Sequence, residues 1–202
     1  MGTLESMWTM NLVREVRAYL DGLHHDYLSA FLADWPLEIN VSRELAPQSL
    51  PVHDWMPQVV QAAHADTENL VKQLFLAHGH LCWGQTYSTK DFGARFLKRY
   101  GFLELIGLRG PVASDRLACG VLMLGPDLCY PSHRHEAEEF YVPLTGPSWW
   151  QRGADDNWVF RQSSEPVYHD AWMPHAMRTE AAPLLALYLW RGGHLAQKSE
   201  IG

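Results

Sequence analysis

His133 and His135 stand two residues apart and are followed by Glu139 and Tyr141, then further along by Pro174-His175. An extended chain throws alternate side chains to the same side, so both imidazoles share a face, and Glu139 and Tyr141 repeat the two-residue period after a short link. Polar groups at that spacing converge on one pocket, which commits the segment to strands around a site. Two imidazoles and a carboxylate suit a first-row divalent ion, and a third imidazole from a neighbouring strand closes the protein's share of the shell. His175 is the candidate, because it lies between a turn signal, Asp170 to Pro174, and the apolar run Leu184 to Trp190. The expected metal ligands are therefore His133, His135, Glu139 and His175.

The surrounding text supports strands. Short apolar runs are expected as strands at Leu117 to Leu124, Glu139 to Leu144, Ser148 to Arg152, Trp158 to Gln162, Pro166 to His169, His175 to Thr179 and Leu184 to Trp190. Gly146-Pro147, the stretch 153–157 and Glu180 to Pro183 punctuate them. Leu81 to Tyr87 and Phe102 to Leu108 are also strand-like, with a short helix at Asp91 to Lys98 between them. Regular short strands of this kind make a double-sheet jelly roll.

The first eighty or so residues read differently. Leu12, Val13, Val16, Tyr19, Leu20 and Leu23 recur at three- and four-residue steps, which predicts an amphipathic helix ending near Gly22, with a restart around Tyr27 to Leu32. Three prolines (Pro36, Pro47 and Pro51) mark a loop, and a second helix is expected from Asp54 through Phe75 to His78-Gly79. The histidines here (His24, His25, His53, His64, His78 and His80) have no carboxylate at a matching phase and are expected to be solvated or capping residues. The chain thus divides into an N-terminal helical lobe over 1–80 and a β-barrel carrying the metal site over 81–202.

Composition excludes several classes of function. In 202 residues, 47% are hydrophobic, enough for a sizeable core, and a formal net charge of -7 without a Lys/Arg cluster argues against nucleic acid and anionic membrane surfaces. Cys82, Cys119 and Cys129 are an odd, scattered set without Cys-x-x-Cys spacing, which suits a reducing compartment. Residues 1–10 have no basic residue ahead of an apolar run, and no stretch approaches a membrane span, so a cytoplasmic protein is expected, with the helical lobe packing on the barrel or forming a homodimer.

Gly125, His133, His135, Glu139 and Gly146 resemble the first motif of the cupin superfamily, and Pro174-His175 with the strand after it resembles the second. That resemblance implies a mainly β fold, a cupin (jelly-roll) β-barrel with an N-terminal α-helical lobe. Tyr130-x-x-His133-x-His135-x(3)-Glu139-x-Tyr141, preceded by a helical lobe, is similar to the bacterial cupin-type dimethylsulfoniopropionate (DMSP) lyases. The likeness implies a metal-dependent carbon–sulfur lyase that cleaves DMSP to dimethyl sulfide and acrylate.

It also implies one divalent transition metal, zinc, iron or manganese, on His135, Glu139 and His175, with His133 as fourth ligand or pocket residue. His169 contests the place of His175, which Pro174 favours. Tyr141 and Tyr130 match the family's tyrosines, one of them the base that starts a β-elimination; Tyr141 is the first choice, and Tyr130 is lid or base. A sulfonium is attracted to aromatic faces, and Trp149, Trp190 and His169 are the candidates for the substrate wall. Two other functions fit the same ligands: an Fe(II) cupin dioxygenase and a non-catalytic small-ligand-binding cupin.

Overall fold

The computed structural model describes residues 3–154 and 157–202; the middle of the turn expected at 153–157 lies outside the described residues, as do Met1 and Gly2. Five α-helices are present among the described residues: α1 (Leu4–Asp21), α2 (Leu28–Ala33), α3 (Met56–Gln61), α4 (Glu68–Ala77) and α5 (Thr89–Leu97). The strands are β1 (Trp83–Gly84), β2 (Tyr100–Gly107), β3 (Val112–Ala113), β4 (Leu117–Leu124), β5 (Cys129–Arg134), β6 (Glu138–Pro143), β7 (Ser148–Arg152), β8 (Trp158–Arg161), β9 (Val167–His169), β10 (His175–Arg178), β11 (Leu184–Arg191) and β12 (Glu200–Ile201). They form a seven-stranded sheet, β1-β2-β4-β11-β6-β9 with β3 beside β2, and a five-stranded sheet, β12-β5-β10-β7-β8.

Strand parity explains how the layers stack. In β11, Leu185, Leu187 and Leu189 belong to a core shared with α1 to α4, whereas Leu184, Ala186 and Tyr188 belong to a second core with Tyr130, Trp150 and Met177 of the five-stranded sheet. A strand buried on both faces reads as a continuous apolar run, as Leu184 to Trp190 does. The helices therefore cover the outer face of the larger sheet, and the site lies in the space between the sheets. Each fully buried Leu or Val contributes about 1.5–3 kcal/mol of transfer free energy to this arrangement. The fold is the expected mainly β, cupin-type barrel with helices added.

Local chemistry sets the helix ends. Thr3 caps α1 by accepting from the Ser6 amide at 3.2 Å, and Gly22 closes it, as the spacing predicts. The single helix expected from Asp54 to His78 is broken in two. Thr67, buried, donates its hydroxyl to the Leu144 carbonyl at 2.6 Å, and its amide bonds to His64, so the 62–67 stretch turns onto the sheet instead of continuing the helix. The strand expected at Leu81 to Tyr87 shrinks to Trp83–Gly84. Among the described residues no helix is long and apolar enough to cross a membrane, and all three cysteines are free thiols.

Candidate metal centre and pocket

Glu139 and Tyr141 share the inward face of β6, since Phe140 and Val142 between and beyond them are spent on the helix-side core. In the sheet register Glu139 lies between Trp190 of β11 and His169 of β9, and Tyr141 lies opposite Tyr188. On the facing sheet His175 of β10 is paired with His133 of β5. Two rows of polar and aromatic side chains thus confront each other.

A β-bulge completes the second row. Three residues of β10, His175 to Met177, span four of β5, His133 to Tyr130. Three-residue spacing would place Tyr130 and His133 on opposite faces of a regular strand, and the extra residue beside Pro131 brings both inward. Their rings stack at 4.1 Å and 10°. His135 lies just past the end of β5, held where its carbonyl accepts the Trp172 amide at 2.7 Å.

His135 Nε2 and His175 Nε2 each lie 3.0 Å from Glu139 Oε2, and these three buried side chains form the cluster of potential metal ligands. Their tautomers are set from behind. The Nδ1 atoms of His133, His135 and His175 lie 2.9, 2.9 and 2.8 Å from the carbonyls of Pro131, Ala137 and Met173. A carbonyl can only accept, so each Nδ1 carries the hydrogen and each Nε2 presents a lone pair inward. Lone pairs facing a carboxylate oxygen repel unless a cation lies between them, and His175 Nε2 is buried without a hydrogen-bond partner. The separations are near the roughly 3.4 Å between tetrahedral ligands placed about 2.1 Å from one ion. The residues fit a divalent metal.

Burial and the neighbouring His175 push His133 and His169 well below the ordinary histidine value, so both are neutral. Burial, reinforced by the Glu139 charge, pushes the Tyr141 phenol well above 10. Tyr130 is raised in the same direction by burial and by the tyrosines around it.

The structure brings together most of the expected site residues. His169 is fully buried, its ring parallel to that of His175 at 4.1 Å and its Nδ1 4.0 Å from Glu139 Oε2. Stacked parallel rings aim their in-plane lone pairs side by side rather than at one point, so His169 backs His175 instead of replacing it. Trp190 lines the pocket and also donates Nε1 to Glu139 Oε1 at 2.5 Å, with its ring 4.0 Å from that of His135.

Trp149 is a correction. It lies on the outer face of the five-stranded sheet against Phe160 and the Arg178 guanidinium, while its neighbour Trp150 turns inward. Side chains alternate along β7, so only one of the adjacent pair can face the pocket.

Sequence spacing missed Tyr87, Tyr100 and Tyr188, which line the pocket with Tyr130 and Tyr141, as do Phe102, Arg109 and the segment bearing Leu195, Gln197 and Ser199. No motif marks them, since they come from separate strands and loops. His53, expected to be solvated or capping, does cap the turn Pro51–Trp55, its Nδ1 accepting the Leu50 amide at 3.5 Å, and its ring is half-buried edge-on to Trp83 and His78 with Nε2 lacking a partner.

A model of the dimethylsulfoniopropionate lyase family matches residues 32–186. Among curated proteins, the dimethylsulfoniopropionate lyase DddQ of Ruegeria pomeroyi is 36% identical over 146 residues, 67% of this chain and 66% of that one. The putative dimethylsulfoniopropionate lyase DddL of Cereibacter sphaeroides is 25% identical over 127 residues, 62% of this chain and 52% of that one. The aligned part thus spans just under two thirds of the first relative and about half of the second. The crystal structure of DddQ from Ruegeria pomeroyi superposes with a TM-score of 0.85 at 29% identity, covering 96% of this chain and 95% of that one. A chain from the crystal structures of the lyases RdDddP and RnDddQII gives 0.86 at 27% identity, covering 98% and 99%.

Proposed function

The chain belongs to the dimethylsulfoniopropionate lyase family, and on that premise we propose that it cleaves DMSP to dimethyl sulfide and acrylate, using one zinc, iron or manganese ion held by His135, Glu139 and His175 with His133 beside them. The observation that carries this reading is the convergence of two imidazole lone pairs on Glu139 Oε2 in the same pocket wall as the Tyr141 phenol. Bound there, a divalent ion supplies a Lewis acid for the substrate carboxylate and the positive charge that brings a phenol with a raised pKa into use as a base.

As its phenolate, Tyr141 takes the proton from the carbon next to the carboxylate and becomes a neutral phenol. The electron pair left behind forms the carbon–carbon double bond of acrylate as the bond from the β carbon to sulfur breaks. Sulfur keeps that bonding pair and departs as neutral dimethyl sulfide, so no acid is needed for the leaving group. Tyr141 is favoured over Tyr130 because it shares the inward face of β6 with the ligand Glu139, where the charge of a bound ion would offset the carboxylate that raises its pKa and so favour the phenolate. The aromatic faces of Phe102, Tyr188 and Trp190 suit the sulfonium by cation–π attraction.

Headspace dimethyl sulfide from purified, metal-loaded protein given DMSP tests this directly. Release of dimethyl sulfide with equimolar acrylate, without oxygen, is expected; oxygen-dependent turnover or binding without product would replace the reading with a dioxygenase or a binding protein.

A further inference from the structure

After β11 the chain turns through Gly192 and Gly193, at φ 66° and 59°, and runs as a strap to β12. A Cβ on Gly193 would stand 2.6 Å from the Glu136 side chain, and this close approach lets Glu136 clasp the strap. Its carboxylate accepts the His194 amide at 3.0 Å, and its own amide donates to Gln197 Oε1 at 3.0 Å. β12 then pairs with β5, Ile201 opposite His133. The strap lies beyond the residues that the family model matches, yet it is tied to the strand that carries Tyr130 and His133.

Tyr87 joins the strap to the pocket. Its hydroxyl is 2.7 Å from that of Tyr130, and it shares the pocket wall with Ser199 of the strap. Its ring lies under the Lys198 ammonium at 5.3 Å, and Lys198 is paired with Asp91 of α5 at 3.1 Å. Tyr87 and Tyr130 are both buried. A buried phenol without a partner is destabilising, so the direction of the Tyr130 hydroxyl is set by Tyr87, and the Tyr87 ring is held from the strap by Lys198.

We propose that Tyr87 is a positioning residue of the reaction: held by Lys198, it fixes the Tyr130 hydroxyl in the substrate pocket, and through these contacts the Gly192–Gly202 strap sets the rate of turnover. This role rests on the DMSP-cleaving activity proposed above. A tyrosine that only filled space would be replaced by phenylalanine without consequence, whereas one acting through Tyr130 must show its effect through Tyr130.

The test is a set of variants assayed for dimethyl sulfide release with kcat and KM separated: Tyr87→Phe, Tyr130→Phe, the double variant, Lys198→Ala and Lys198→Arg. Tyr87→Phe is expected to lower kcat by about tenfold or more with KM within about twofold and metal content unchanged. The double variant should be no slower than Tyr130→Phe alone, because residues acting as a unit are not additive. Lys198→Ala should lower kcat by a smaller factor, which Lys198→Arg restores by keeping a cation over the ring. Losses that add in the double variant, or a Tyr87→Phe enzyme within about twofold of the parent, would overturn the role of Tyr87 while the parent's activity still stands. A parent protein that releases no dimethyl sulfide would overturn the proposed function and this role together.

Discussion

Trp190 donates its indole N–H to Oε1 of Glu139 at 2.5 Å, while the other carboxylate oxygen, Oε2, faces two imidazole nitrogens at 3.0 Å. One carboxylate oxygen is thus tied to the sheet and the other is left for an ion. Ligands oriented in this way bind metal more tightly than free ones. Trp190→Phe keeps an aromatic ring against His135 and removes the donor, so metal affinity should fall by roughly tenfold to a hundredfold. Titration against a competing chelator measures it, and an unchanged affinity would show that Glu139 is oriented by other contacts.

His175 and His169 lie ring to ring at 4.1 Å but are expected to behave differently. His175→Ala removes one of the nitrogens directed at Glu139, so the purified variant should lose most of its metal and its turnover. His169→Ala should retain near-stoichiometric metal. Elemental analysis of both proteins decides between them, and the reverse pattern would exchange their roles.

Tyr141→Phe preserves the ring packed at 5.0 Å from Trp150 and removes the proton acceptor. The expected loss in kcat is at least about a hundredfold, the usual scale for a missing general base, with metal content unchanged. Near-normal turnover of this variant beside an inactive Tyr130→Phe would make Tyr130 the base.

His53 gives the fold a pH dependence that is separate from the pocket. Burial, with the nearby His78, lowers its pKa from 6.5 to about 4. The folded state therefore binds this proton less readily than the unfolded chain, and the unfolded chain carries more protons between those values. Stability from this group is complete above about pH 6.5 and is lost as pH falls toward 4. For a half-exposed ring the discounted size is about 1 to 2 kcal/mol. Urea unfolding at pH 7 and pH 4.5 should show a smaller pH-dependent loss in His53→Gln than in the parent, and equal losses would place the effect elsewhere.

Much of the site was legible in the residues because its ligands sit close together in the chain. The two-residue period of His133 and His135, and of Glu139 and Tyr141, follows from strand geometry, and so does the apolar run of β11. Spacing could not choose between Trp149 and Trp150, because alternation says that one faces in without saying which. That choice depends on register, which pairs Trp150 with the inward Met177.

The sequence by itself determined the chemistry of the ligand set and the strand-rich architecture, since both rest on residue types and periods within short segments. Tertiary structure decided everything that joins distant segments. The bulge in β5 that turns Tyr130 and His133 to the same side, the indole of Trp190 on Glu139 and the strap that reaches Tyr87 all depend on strand pairing. Such pairing brings together groups far apart in the chain, and no local period records it.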